Sequence, residues 1–259
     1  VIPAAFITEW ANTVAWPTVE QVEQDLILSR LIIEIANDNY LGEELVFRGG
    51  TCLHKLRLDP ALRYSEDLDY VRRSAGSISE IIDAIRTIAN RLGMSVSTKI
   101  ATNPKIRLHA PFESGSGTMS VKIEVNTYER SPAMGLQRVA YSVNNQWYRG
   151  GADVQTFTVA ELVATKIRAL YQRSKGRDLF DLWLALTNLD VPPSDIVECF
   201  ASYRPPKYTS ALAEQNLRFK LTNVNFRHDL DQLVTSWPAD YDIDTAAEFV
   251  IDQLFRRIV

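Results

Sequence analysis

Two aspartates, Asp67 and Asp69, sit two residues apart in Ser65-Glu66-Asp67-Leu68-Asp69-Tyr70-Val71. Read as a strand, this segment points both carboxylates to one face and Leu68 and Tyr70 to the other. Two like charges so placed repel unless a cation lies between them. Magnesium takes hard oxygen ligands and is commonly shared with substrate phosphates. A third acid, Glu124, lies in Met119-Ser120-Val121-Lys122-Ile123-Glu124-Val125-Asn126, where apolar and polar residues alternate. If that strand lies beside the first, Glu124 joins Asp67 and Asp69 as a metal ligand, or serves as base on an acceptor hydroxyl.

Gly49-Gly50-Thr51 leads into a helix carrying Lys55. Glycines let main-chain N–H groups approach an anion closely, and a helix N-terminus favours negative charge. A second cationic set is Lys166, Arg168, Arg173, Lys175 and Arg177, with Asp178 and Asp181 among them. Lys166 and Arg173 share a helix face, as do Asp178 and Asp181. Surface salt bridging across a helical hairpin accounts for this set equally well as a clamp on a triphosphate. Carboxylates, a glycine turn and cations together suit phosphoryl or nucleotidyl transfer, which needs positioning and charge neutralisation rather than a covalent intermediate. Two magnesium ions about 4 Å apart activate the attacking hydroxyl and stabilise the leaving pyrophosphate in such reactions.

The elements that must hold these residues can be read from capping and periodicity. Thr18-Val19-Glu20-Gln21, Ser77-Ile78-Ser79-Glu80 and Thr158-Val159-Ala160-Glu161 read as capping boxes. They open helices to about residue 37, to Gly93 and to about Ser174. Leu45-Val46-Phe47 is a short apolar run, 64–71 a strand, and 94–100, 106–110 and 119–126 three more. Gly150-Gly151 marks a turn before a short strand at 154–157, and Gly176 breaks two helices. From Pro192 onward only helices and loops are expected. The order gives an α+β lobe over residues 1–157 and a helical lobe over 158–259.

Composition narrows the class. The chain has 259 residues, 46% hydrophobic and 23% charged, with a formal charge of -4, ordinary for a globular protein. Residues 1–45 hold eight of the 32 acids but only one of the 28 bases, so the remainder is mildly basic and able to meet polyphosphate or RNA. Cys52 and Cys199 lack metal or disulfide spacing and fit a reducing cytoplasm. The opening Val1-Ile2-Pro3 shows no secretory signal, and no apolar run suits a membrane span. His54, His109 and His228 are too scattered for a metal triad, and the five tryptophans are core or interface candidates, with Trp147 also able to stack on a base.

Four ordered motifs resemble one family. Phe47-Arg48-Gly49-Gly50-Thr51-Cys52-Leu53-His54-Lys55-Leu56 resembles the FKGGTxLxK segment of the AbiEii-type (MenT-like) nucleotidyltransferase toxins. Tyr64 to Asp69 resembles its F-S-x-D-x-D segment, Val121-Lys122-Ile123-Glu124 its later acidic strand, and Glu161 to Leu182 its K…R…RDxxDL helices. Arg48 and Tyr64 stand where the family often has Lys and Phe. The resemblance implies a polymerase-beta-like nucleotidyltransferase lobe with a mixed or antiparallel sheet, a helical lobe contributing to the active site, magnesium, an NTP donor and a cognate antitoxin. Some relatives add nucleotides to the tRNA acceptor end. It puts Ser65, Asp67, Lys166 and Asp178 in the active site; from the residues themselves, Gly49, Gly50, Thr51, Lys55, Ser65 and Arg173 are expected on the substrate. The acceptor is expected to be RNA, with a protein, a small molecule or an inert NTP-binding role as rivals.

Overall fold

The structure, a computed structural model, describes residues 2–259; Val1, part of the reading of the chain's start, lies outside the described residues. Two compact units divide the chain, Val1–Phe157 and Thr158–Val259.

The first unit opens with α1 (Ala4–Ala11) and α2 (Val19–Asn37). Thr18 caps α2 in the expected box: its hydroxyl accepts from Gln21 N at 3.2 Å, and Gln21 Oε1 accepts from Thr18 N at 3.2 Å. Leu26, Leu28, Leu31, Ile32 and Ile33 are fully buried along α2, each contributing about 1.5–3 kcal/mol of transfer free energy. Next come α3 (Leu41–Glu44), β1 (Leu45–Arg48), α4 (Gly49–Leu56), β2 (Asp67–Arg72) and α5 (Ser79–Arg91). Strands β3 (Ser95–Lys99), β4 (Lys105–Pro111), β5 (Thr118–Asn126), β6 (Leu136–Asn144) and β7 (Arg149–Phe157) complete the unit.

These strands form one mixed sheet in the order β3-β4-β5-β2-β1-β7-β6. The β2–β5 and β1–β7 pairings are parallel and the others antiparallel. Short β1, buried at Leu45, Val46 and Phe47, lies near the centre. Helix α2 packs against β5, β6 and β7, and α5 against β3. The apolar sides of β2, β4 and β5 (Leu68, Ile106, Leu108, Val121, Ile123) are therefore buried, which leaves the opposite face for polar chemistry.

Three local expectations are corrected. Ser77 does not cap α5: that helix starts at Ser79, and the Ser77 hydroxyl accepts from Ser79 N two residues on, a local turn that competes with capping. Strand β2 starts at Asp67, so Tyr64–Glu66 lie outside it. Gly150-Gly151 lies inside β7, opposite Val143 and Ser142 of β6; the pairing of two nine-residue strands overrides the local turn preference of glycine.

The second unit consists of helices and loops, with no strand among its described residues: α6 (Val159–Gln172), α7 (Gly176–Asn188), α8 (Pro193–Phe200), α9 (Ser210–Leu221), α10 (Val224–Arg227) and α11 (Ile243–Gln253), with 3-10 turns at Ala201–Tyr203 and Phe255–Arg257. Thr158 caps α6 through Glu161 N at 3.3 Å, but the Glu161 carboxylate, fully buried, accepts from the Tyr203 hydroxyl instead of closing the box. Helix α6 packs on α7 and α8, and α7 on α11. Phe180, Trp183, Trp237 and Tyr241 form an aromatic cluster, with Tyr241 4.8 Å from Phe180 and 5.0 Å from Trp183 between ring centroids. No helix among the described residues is long and apolar enough to cross a membrane.

Gly176 does not separate two helices but begins α7. A Cβ there would collide with the Phe226 main-chain carbonyl. Gly176→Ala is therefore expected to cost about 1–3 kcal/mol by overpacking, read as a lower urea midpoint at unchanged slope; an unchanged midpoint would refute the steric account.

Candidate active site

In the first unit, the parallel register of β2 and β5 sets Asp67 opposite Lys122 and Asp69 opposite Glu124. All four side chains share the face away from the apolar core. Lys122 Nζ lies 2.8 Å from Asp67 Oδ2 and 3.6 Å from Glu124 Oε2. Glu124 Oε2 also meets Lys105 Nζ at 3.4 Å, and Glu124 Oε1 accepts from Asn103 Nδ2 at 3.2 Å. The register thus brings the three expected acids to neighbouring positions, with Glu124 beside Asp69 and within ion-pair distance of Lys105 and Lys122. Among the described residues no three acid, histidine or cysteine side chains converge as a preformed metal cage.

Asp69 carries the unmet charge. Burial, and then the neighbouring Asp67 carboxylate, push its pKa up, against the opposing pull of Arg48 and Lys122. No ion pair holds its carboxylate among the described residues, whereas Asp67 has Lys122. Burial alone would lower the Lys122 ammonium, but its hydrogen bond to Asp67 and the surrounding carboxylates raise it. A divalent cation fits the chemistry of this donor set: two hard oxygens on one face, one of them short of countercharge.

Gly49 makes the close approach possible. It has φ +84°, and a Cβ on it would sit 2.5 Å from Asp69 Oδ2. The Asp69 carboxylate therefore lies against the start of α4, whose first residues are Gly49, Gly50 and Thr51. The Thr51 hydroxyl is 2.8 Å from Ser65 Oγ and 2.5 Å from the Asp67 carbonyl oxygen, tying the loop before β2 to α4. On β1, Arg48 sits opposite Asp69 and pairs with Glu129 at 2.8 Å, and Glu129 also accepts from Asn126 Nδ2 at 2.9 Å.

Lys55, expected on the substrate, is engaged inside the unit. Its Nζ is 2.6 Å from Asp25 Oδ2 and 3.0 Å from Ser29 Oγ. Burial would lower it, but Asp25 and Tyr141 hold it above the usual lysine value. A phosphate would have to compete with a buried carboxylate for this ammonium. Trp147 is likewise engaged, with the Arg30 guanidinium 4.8 Å from its ring centroid.

In the second unit, Lys166 Nζ is 2.6 Å from Asp181 Oδ2 and 3.5 Å from Asp178 Oδ1. Arg173 grips Asp178 with two bonds, Nε to Oδ2 at 2.6 Å and an Nη to Oδ1 at 2.8 Å. Both aspartates are fully buried and Lys166 nearly so. Burial alone would raise the Asp178 carboxyl, but the Arg173 fork and Lys166 hold it below the usual carboxylate range. Asp229 receives the Arg177 main-chain N–H at 3.2 Å and Lys175 Nζ at 3.3 Å, and so anchors the start of α7. Asp178 meets both Lys166 and Arg173, with Asp181 the nearer partner of Lys166.

The sequence pattern of the family described as "Nucleotidyl transferase AbiEii toxin, Type IV TA system" matches residues 30–250. The chain belongs to the AbiEii family. This AbiEii-family chain is accordingly a nucleotidyltransferase toxin of a type IV toxin–antitoxin system. Solved structures share its fold at low identity. MenT4, a nucleotidyltransferase toxin of Mycobacterium tuberculosis H37Rv, is 15% identical with a TM-score of 0.61, covering 100% of this chain and 91% of its own. JHP933 from Helicobacter pylori is 14% identical with a TM-score of 0.57, covering 93% and 94%. A putative nucleotidyltransferase from H. pylori is 13% identical with a TM-score of 0.54, covering 93% and 97%. No curated protein matches in a sequence search.

Lys122, with Lys105 and Asn103, is among the residues of this face to which the sequence reading gave no role. Alternation placed it on the face of Glu124, but only the β2–β5 register brings it to Asp67.

Two outcomes follow from the charges. A carboxyl whose pKa rises on folding favours the fold below its unfolded value, and that advantage is lost as pH rises through the folded value. Asp69→Asn removes the cost of the buried charge, so the metal-free protein should melt higher at neutral pH, with the difference shrinking in acid; calorimetry showing a lower melting temperature would contradict this. Asp178 has the opposite sign: its lowered pKa gives stability above the usual carboxylate range that is lost as pH falls through the folded value. Asp178→Asn should cost about 3 kcal/mol in urea unfolding at neutral pH and less in acid, whereas a loss independent of pH would speak against the ion pairs.

Proposed function

We propose that this AbiEii-family chain transfers a nucleotide from an NTP to RNA, at the 3′ acceptor end of tRNA, and so blocks translation. The observation that carries the chemistry is the Asp67–Asp69 pair set against the start of α4, with Asp69 short of countercharge. The RNA acceptor is supported by the resemblance of the ordered motifs to relatives acting on tRNA, and the transfer chemistry is in keeping with a fold shared with MenT4, a nucleotidyltransferase toxin.

In this reading, main-chain N–H groups of Gly49, Gly50 and Thr51 hold the triphosphate, and Ser65 orients Thr51 or touches the terminal phosphate. Asp67 and Asp69 hold magnesium. The metal, when bound, supplies the positive charge that neutralises the phosphates and lowers the pKa of the attacking hydroxyl. Glu124 takes the proton of the acceptor hydroxyl or completes the metal site, which requires it to leave Lys105 and Lys122. In the second unit, Asp178 positions Lys166 and Arg173, the cations proposed to counter phosphate charge. The antitoxin partner follows from the family; a cytoplasmic site of action is part of the same proposal.

The test is direct transfer. Purified protein is incubated with magnesium, each labelled NTP in turn and total bacterial RNA, beside Asp69→Ala. Label in a tRNA-sized band, lost in the variant by at least about a hundredfold and lost with EDTA, is the expected result. Label on protein or on a small molecule, with none on RNA, would replace the acceptor while keeping the transferase.

A further inference from the structure

The polar face that carries Asp67 and Asp69 does not stop at β5. The register continues it in two rows, Asp69–Glu124–Lys105–Lys99 and Asp67–Lys122–Arg107–Ser97, running from β2 across β5 and β4 to the edge strand β3. Neither β3 nor β4 contains an acid. Lys105 and Lys122 are tied to the site's carboxylates. Arg107 and Lys99, further out, are exposed and have no ion-pair partner among the described residues. His109 lies on the same side, 2.9 Å from Ser97 Oγ. Where β5 ends, Tyr128 exposes 56% of its surface.

An ordinary solvated sheet face mixes charges of both signs. This one has its acids at the reaction end and only cations beyond. Helix α5 and the apolar core occupy the other side of these strands, with Val96 opposite Leu108 and Ile106 opposite Ile123, so the charged side chains are committed to the open face. Strands lie about 4.8 Å apart, so β2 to β3 spans about 14 Å, the length of a short run of nucleotides. A cationic face with an exposed aromatic at its margin offers single-stranded nucleic acid both kinds of contact it uses: cations for phosphates and a ring for bases.

We infer that the open face of β5, β4 and β3 is the track that leads the single-stranded end of the RNA acceptor to the Asp67–Asp69 pair, with Arg107 and Lys99 on its phosphates. This rests on the RNA-acceptor reading above. Lys105 and Lys122 lie where the track enters the site, so the terminal nucleotide displaces their ion pairs with Glu124 as it arrives, which frees that carboxylate for the acceptor hydroxyl.

The test uses the charge-reversed double variant Lys99→Glu, Arg107→Glu in the full chain, with a short fluorescent single-stranded RNA as probe. Both residues are exposed and make no ion pair, so the melting temperature and NTP binding by calorimetry should match the unmodified protein. RNA affinity should fall at least about tenfold, and the slope of log affinity against log salt should flatten by about 1.4, at roughly 0.7 for each phosphate no longer neutralised. Labelling of RNA should fall with it. If the unmodified protein labels RNA and the variant binds and labels it equally well, the track is wrong and the acceptor reading stands. If the unmodified protein neither binds nor labels RNA while still binding NTP, both fall.

Discussion

The first unit is organised around one electrostatic problem: two carboxylates fixed on the same side of one strand. Alternation along β2 leaves no choice of direction, because Leu68 between them is fully buried and Tyr70 beyond them nearly so. The pair can separate only by breaking the sheet. Its neighbours answer the repulsion unequally. β5 supplies Lys122 to Asp67, whereas Asp69 has no ion pair among the described residues, only the more distant influence of Arg48 and Lys122 and the positive end of α4. Gly49, in a left-handed conformation without a side chain, lets that helix start close to the carboxylate. The chain thus places the strongest demand for an added cation at the carboxylate nearest the helix terminus, where phosphate oxygens also find N–H donors.

The second unit answers a similar problem without leaving a deficit. Asp178 and Asp181 lie one turn apart on α7 and are both fully buried, yet Lys166 and Arg173 reach them from α6 and its C-terminal end. A buried ion pair gives little net stability compared with an apolar replacement. Its consequence here is geometric: the Arg173 fork and the Asp181 contact leave Lys166 few ways to turn. If Lys166 meets a phosphate, it does so already oriented, and the ordering cost falls on folding rather than on binding.

Much of this arrangement was legible in the sequence because it follows from periodicity and local chemistry. The Thr18 cap, the shared face of Asp67 and Asp69, and the alternation around Glu124 are consequences of neighbours within four residues. The illegible parts depend on partners far along the chain. Lys122 became a neighbour of Asp67 only through a parallel pairing across 55 positions of sequence. Lys55 looked available for phosphate because Asp25, its partner, lies on another helix. Gly150-Gly151 read as a turn because the pattern of β6, mostly exposed, gives little hint of a strand able to hold it in register. Ser77 reads as a cap by its spacing to Glu80, but two residues ahead of the helix its hydroxyl accepts from Ser79 N in a tighter turn instead.

The parallel β2–β5 pairing also explains why acids and lysines alternate across the site. In-register parallel strands set residue against residue, so the sequence Lys-Ile-Glu on β5 faces Asp-Leu-Asp on β2 as lysine beside the first aspartate and glutamate beside the second. A one-residue slip would turn Lys122 and Glu124 into the apolar core and Val121 and Ile123 onto the acids. The buried side of β5 therefore fixes the charge pattern of its open side. The same constraint carries outward through β4, where Ile106 and Leu108 hold Lys105 and Arg107 to the open face. Hydrophobic burial on one side of the sheet thus determines the electrostatic gradient on the other, from carboxylates at β2 to exposed cations on β4 and β3.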